Sequence, residues 1–294
     1  MSLMKTLTRK SFTLIELLVV IAIIGLLSSV VLVSLSGPRQ KAKITKALEF
    51  SQSVQHAIGN EAVGVWNFDD CTAKDLSGYG NNGTIYGATC VDDTPYKVVG
   101  VGQGKNALSF DGGNDYVSAN ANLSGTLTSA ITVSAWIKLN DLSDRGIMGE
   151  YSNWSYYGYA FWISSNNLYF EVGRSGPGEW TGWETKVNTA SISPGTWYHI
   201  VGTYNGSIVK LFVNSVEANS AGENRQINGG LPTCIGNVRY DCTSINPFNE
   251  VNGYFNGTID DIRIYTTALT LGEIQQLYLA GLEKHQQLTM DYEK

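Results

Sequence analysis

The residues best suited to chemistry are the Asp and Asn side chains that stand beside glycines. Asp111, Asn114 and Asp115 fall in one short loop, while Asp69 and Asp260 sit on segments far apart in sequence. Several hard oxygens on short turns are what a Ca²⁺ site requires, at roughly 2.3–2.6 Å from the ion. We therefore expect a structural calcium held by Asp69, Asp111, Asn114, Asp115 and Asp260. The same side chains also suit hydrogen bonding to turn backbones, and both readings stand. A second group is aromatic: Tyr151, Trp154, Tyr156, Tyr157, Trp180 and Trp183, interleaved with Ser, Asn and Gly. Aromatic faces stack on sugar rings, and loops carry binding residues on rigid scaffolds. These residues are candidates for glycan binding, or they cover a domain edge as a satellite cluster.

Catalytic patterns are missing. No E-x-D-x-E or similar run supplies the paired acids of a retaining glycosidase, which stand about 5–5.5 Å apart. Glu171 and Glu184 have no near acidic neighbour; His56, His199 and His285 are isolated. No G-x-S-x-G accompanies them. His199 lies in an apolar run and reads as a satisfied strand residue. The expectation is a protein that is not an enzyme. Of the four cysteines, Cys71, Cys90, Cys234 and Cys242, none forms a CxxC pair, which argues against zinc. An even count suits two disulfides in an exported domain. Of three connectivities we favour the sequence-local one, Cys71–Cys90 and Cys234–Cys242, over four reduced thiols.

The elements that position these groups divide the chain in two. From Phe12 to Leu35 the only charged residue is Glu16. That is enough apolar chain to cross a bilayer core of ~30 Å. Helical spacing continues through Ile44, Ala47, Leu48, Val54, Ala57 and Ile58. One helix over 12–60, kinked at Gly37-Pro38, would be a rod of roughly 70 Å. Arg39, Lys41, Lys43 and Lys46 follow the apolar run and read as a solvated face near lipid headgroups. With basic residues on both sides of the span, the positive-inside rule leaves orientation open. The formal charge of −6 does not favour nucleic acid.

From about residue 62 the pattern changes to period-two runs bounded by Gly, Asn and Asp. The spacing predicts strands at 64–68, 107–112, 131–139, 159–164, 167–172, 196–204, 207–214 and 257–265, with Asn205-Gly206 as a hairpin turn. Many short strands at this spacing indicate a β-sandwich. Thr270 and Glu273 form a capping box ahead of a short helix over 271–280. Trp136 and Trp197 alternate with apolar neighbours and read as core.

Two resemblances sharpen this reading. The run Lys10-Ser11-Phe12-Thr13-Leu14-Ile15-Glu16, with Gly25 further on, resembles the N-terminal signal of type IV pilins and pseudopilins. It implies a leader over 1–11 cut by a prepilin peptidase between Ser11 and Phe12, with methylation of the new amino group on Phe12. Ser11 replaces the family's usual Gly, and Pro38 lies later than its usual kink. A carboxylate in the apolar span is costly. The resemblance implies that Glu16 pairs with the terminal amine of a neighbouring subunit and so directs filament assembly.

Segments 65–87, 108–117, 131–138, 196–214 and 256–278 together resemble a laminin G-like domain of the concanavalin A-like lectin/glucanase superfamily. That implies a mainly β fold, a jelly-roll sandwich over 61–281 whose first and last strands pair, with 282–294 as a tail. Relatives of this kind often hold a calcium that pins loops. The combined expectation is a filament subunit, one of the minor ones, displaying a lectin-like domain for adhesion to glycans or surfaces. The alternatives are a type II secretion pseudopilin that binds exported proteins, or a membrane-anchored carbohydrate-binding module. Expected partners are other pilin-like subunits, the prepilin peptidase and the inner membrane before assembly. The domain would lie outside the cytoplasm, single-pass at first and on an extracellular filament afterwards.

Overall fold

The computed structural model describes residues 62–92, 106–119, 127–151, 157–173, 185–223, 227–228, 232–238, 242–243 and 253–285. Residues 1–61, and with them Ser11, Phe12, Glu16 and the 12–35 span, lie outside that set. Among the described residues no helix is long and apolar enough to cross a membrane.

The alternating runs fold as two antiparallel sheets packed face to face. The larger has the spatial order β14 (Val216–Gly222), β13 (Ile208–Val213), β12 (Trp197–Tyr204), β7 (Ile131–Leu139), β17 (Asn256–Tyr265), β4 (Ala107–Asp111), β3 (Thr89–Val91). The first strand, β1 (Ala62–Trp66), also pairs with β17. The smaller runs β11 (Thr185–Thr189), β10 (Asn167–Val172), β9 (Tyr157–Ser164), β8 (Arg145–Tyr151), β16 (Thr233–Ile235), β5 (Tyr116–Ala119), β2 (Gly83–Tyr86). A two-stranded ribbon joins β6 (Leu127–Thr128) to β15 (Ile227–Asn228). The first and last strands pair as expected, Ala62 opposite Tyr265 and Trp66 opposite Ile262.

Side chains between the sheets form the main core, among them Phe110, Val133, Ile137, Phe161, Phe170, Ile200 and Ile259. Where Phe170 crosses from the smaller sheet it lies against Gly202 of β12, and a Cβ there would run into its ring. Only glycine lets the sheets close at this point. Loops are tied by side chains. Asp75 accepts hydrogen bonds from the amides of Val65, Ser77 and Asn81, at 2.8–3.0 Å, and fixes the turn-rich stretch before β2. At the β12–β13 hairpin Asn205 Oδ1 accepts the amides of both Ser207 and Ile208, with Gly206 at φ 88°. The loop is therefore longer than the two residues its Asn-Gly pair suggests.

Nearly all of β7 is buried, more than one inner face can explain. Its outer face is covered by α1 (Leu271–His285). Thr132 Oγ1 anchors the approach to that helix, accepting from the Leu269 amide at 2.9 Å and donating to the Thr267 carbonyl at 2.7 Å. Trp136 and Trp197 are buried as expected, but in a satellite cluster beneath α1 with Ala107, not between the sheets. The helix also runs to His285 rather than ending at Ala280, so residues 282–285 belong to the domain and not to a tail.

Both cysteine pairs are disulfides with the sequence-local connectivity. Their separations of 19 and 8 residues correspond, by loop-closure entropy, to about 3 and about 2.5 kcal/mol. The Cys71→Ala/Cys90→Ala pair should therefore lower unfolding free energy by about 3 kcal/mol, slightly more than Cys234→Ala/Cys242→Ala. Denaturant titrations of the two variants, oxidised and reduced, test that order.

Candidate functional site

The helix begins with the expected capping box. The Thr270 amide donates to Glu273 Oε2 at 2.7 Å, and the Glu273 amide returns to Thr270 Oγ1 at 3.4 Å. From there Ile274, Leu277, Tyr278, Gly281 and His285 recur at helical spacing and face the sheet. Gly281 rests on the Trp136 indole so closely that a Cβ would overlap it. The missing side chain lets His285 stack on Trp136 at 4.4 Å between centroids and meet Trp197 edge-on at 4.7 Å.

Opposite this helix, β17 breaks its register with β7 between Asp260 and Arg263, a β-bulge with Asp261 at φ 45°. Bulges re-aim side chains, and a short polar residue such as Asp tolerates this conformation. Here the bulge puts two consecutive acids under α1. Asp260, fully buried, accepts the amide of Asp261 on Oδ1 and the side chains of Lys284 (2.7 Å) and His285 (2.9 Å) on Oδ2. The other His285 nitrogen, Nδ1, faces the Gly281 carbonyl at 2.9 Å. Carbonyl and carboxylate are both acceptors, so a proton must lie between His285 Nε2 and Asp260 Oδ2.

Lys284 is the centre of the group. Its side chain is 4% exposed, and Nζ also donates to Asp69 Oδ1 at 2.8 Å and the Asn67 carbonyl at 3.3 Å, with Asp261 at 3.7 Å. Burial disfavours its charge, but Asp261, Asp260 and the hydrogen bonds to Asp260 and Asp69 outweigh that and hold it above the ordinary lysine range. Burial, and then the Asp261 charge, push the Asp260 carboxyl up to about 6 against the pull of His285 and Lys284.

Beside this group lies a cavity of about 210 Å³ lined from the sheet by Ser134, Trp136, His199, Asp261 and Arg263. Asn67 and Asp69 close one side, and α1 the other, through Leu277, Ala280, Gly281 and Lys284. His199 is 2% exposed, and its Nδ1 has no hydrogen-bond partner among the described residues. Burial, reinforced by the charges of Arg263 and His285, lowers its pKa to about 3 and keeps it neutral. His199 is thus not the satisfied strand residue the sequence suggests.

A family model described as the concanavalin A-like lectin/glucanases superfamily matches residues 111–275. The chain belongs to that superfamily. A second match, the prokaryotic N-terminal methylation motif, covers residues 7–32. No curated protein matches. Among solved structures, the binding domain of Paraclostridial Mosquitocidal Protein 1 is 18% identical with a TM-score of 0.57, over 75% of this chain and 52% of that one. The botulinum neurotoxin serotype D ligand-binding domain, solved with N-acetylneuraminic acid, is 15% identical at 0.54, over 76% and 52%. The botulinum neurotoxin DC binding domain, solved with rat synaptotagmin II, is 17% identical at 0.56, over 75% and 52%. The likeness is one of fold, and the match spans about half the length of each of those chains.

Within this concanavalin A-like domain the five expected calcium ligands do not converge. Asp69 and Asp260 do meet, but on the Lys284 ammonium, which stands where a cation would. Asp111 pairs with Asn256 at the other end of β17, four residues from Asp260 and so ~13 Å away. Ligands of one calcium stand within about 5 Å of one another. At that end Asp115 Oδ2 accepts the Asp111 amide and Asp111 Oδ1 the Gly113 amide, the turn-bonding alternative. Asn114 is exposed in the same turn. A second side-chain cation sits alongside: Arg145 donates to the Gly112 and Tyr254 carbonyls and pairs with Asp141 at 3.2 Å. Burial raises Asp141, yet hydrogen bonds from Ser143, Asn256 and Arg145 hold it at about 2.

Of the candidate sugar-stacking residues, Trp154, Tyr156, Trp180 and Trp183 lie outside the described residues. Tyr151 and Tyr157 pair with each other across β8 and β9.

Proposed function

We propose that this chain is a minor subunit of a type IV pilus-like filament, displaying its concanavalin A-like domain to bind glycans on a surface. One observation carries the proposal: a methylation motif at residues 7–32 and a lectin-type domain at 111–275 share one chain. The first device has a use only where apolar rods pack in lipid or against one another. The second is a sandwich whose superfamily includes lectins. One solved relative of this fold carries N-acetylneuraminic acid, which supports glycan binding by analogy of fold. In this reading Phe12 is the methylated first residue and Glu16 neutralises a neighbour's terminal amine in a low-dielectric setting, which fixes the stagger between rods. The domain acts by binding and not by catalysis.

The test is Glu16→Ala in cells. Antibody to the domain should label sheared surface filaments from wild type. It should find the variant processed, in the inner membrane and absent from filaments. Recovery of a domain trimmed free of residues 12–60 from wild-type cells would end the proposal. Filaments that incorporate Glu16→Ala normally would end the role of Glu16.

A further inference from the structure

We infer that the cavity between α1 and the outer face of the larger sheet is a binding site for a single saccharide residue. This rests on the reading of the domain as a glycan binder and assigns that binding a place other than the aromatic loops.

Size is the first constraint. The cavity measures about 210 Å³. That is below the roughly 300–1,000 Å³ of pockets for drug-sized ligands. One sugar ring is the upper limit, and a longer glycan would have to enter by its terminal residue.

The lining gives the chemistry. Asp69 and Asp261 offer acceptors, Arg263 donors, Lys284 a positive charge, and Ser134 a hydroxyl that donates and accepts, all around one small space. An ion of either sign would meet its own charge on one wall. An apolar ligand would strip water from all of them. A sugar hydroxyl donates and accepts at once, so neighbouring hydroxyls match alternating carboxylates and cations. Two groups await such a partner: His199 Nδ1, buried and unpaired among the described residues, and the half-buried Arg263, which forms no ion pair among them. Buried polar atoms in native proteins are almost always hydrogen-bonded, and an exception points to an absent partner.

The site is also held ready. Trp136 in its floor is clamped by His285, and Lys284 by Asp69 and Asp260. Asp69, 40% exposed at its side chain, stands at the rim. Little ordering is left for binding to impose, which favours affinity.

Two substitutions test the site in the full-length protein in detergent. Ala280→Phe puts a ring into the cavity from its half-buried place on α1, and Arg263→Met removes the donor fork while keeping most of the apolar stem. The probe is an array of glycans ending in different monosaccharides, followed by titration of the best hit and of its free terminal monosaccharide. We expect the free monosaccharide to compete within about threefold of the whole glycan, and each variant to weaken binding at least tenfold. Undiminished binding by both variants, or competition only by longer glycans, would overturn the cavity as the site and leave the glycan-binding function standing. No binding of wild type to any glycan would overturn that function and the cavity together. Should Ala280→Phe fail to fold by circular dichroism, Arg263→Met decides alone.

Discussion

Replacing Lys284 with methionine should cost about 3–5 kcal/mol of stability, the penalty for removing one partner of a buried ion pair. Methionine keeps the volume of the stem, so the loss measures charge. It leaves Asp260, 1% exposed at its side chain, facing Asp261 with only His285 to offset it. The double change Lys284→Met/Asp260→Asn removes the stranded charge, while the amide oxygen still accepts from His285. It should recover more than half of the loss. Chemical denaturation followed by tryptophan fluorescence reads both, since Trp136 and Trp197 lie beneath the same helix. A loss under 1 kcal/mol for the single variant would mean that the ammonium does not hold α1 down. The sign with pH is fixed as well. Lys284 is raised when folded, so its contribution is complete below pH 10.5 and disappears as pH climbs through the folded value.

The second large effect concerns acid. His199 has a folded pKa of about 3 against 6.5 for the free side chain. Below pH 6.5 the unfolded chain takes up a proton that the folded one refuses, so stability falls as pH falls. At 1.36 kcal/mol per unit, the loss is about 2 kcal/mol at pH 5 and roughly 4 kcal/mol near pH 3. Asp260 works in the opposite direction. Its carboxyl is raised from 3.8 to about 6, so its contribution is present below pH 3.8 and lost as pH rises through 6. The two slopes oppose each other between pH 4 and 6, and the wild-type profile there should be shallow. His199→Gln removes one of them. The gap between wild type and variant should shift by about 2 kcal/mol between pH 7 and pH 5, in the variant's favour on the acid side. Parallel profiles would refute the assignment.

Much of the architecture was legible because alternation reports a sheet with one wet face. Runs such as Asn167–Val172 and Ile208–Val213 emerged as strands within a residue of their expected limits. β2, β3, β8 and β16 escaped because they are short, or because glycines interrupt them, as Gly146 and Gly149 do in β8. The doubly buried β7 read as an ordinary strand, since nothing in its own sequence says that a helix will cover its outer face. The same helix hid the site. Lys284 and His285 look like polar residues in a fraying tail, and their burial depends on a bulge ten residues before the helix begins. Two clues were available. The helical spacing of Leu277, Tyr278 and Gly281 continues to His285, and two adjacent acids interrupt the apolar strand that ends at Tyr265. Consecutive aspartates inside such a run need a cation, and the sequence suggested calcium where the chain supplies its own lysine. The expected pilin-type N-terminal motif is matched at residues 7–32, because a charge inside an apolar stretch is a distinctive signal.

The pairing of β1 with β17 has a mechanical consequence. Tension that reaches Ala62 from the preceding chain enters beside the last strand, which is itself paired with β7. A pull along β1 loads its ladder with β17 in shear, all bonds together, which resists better than opening them one at a time. If that strand does slip, the Cys71–Cys90 bond catches the chain a few residues on and passes the force to β3. The thiol redox state would then set how far a tethered domain can be drawn out before it lets go.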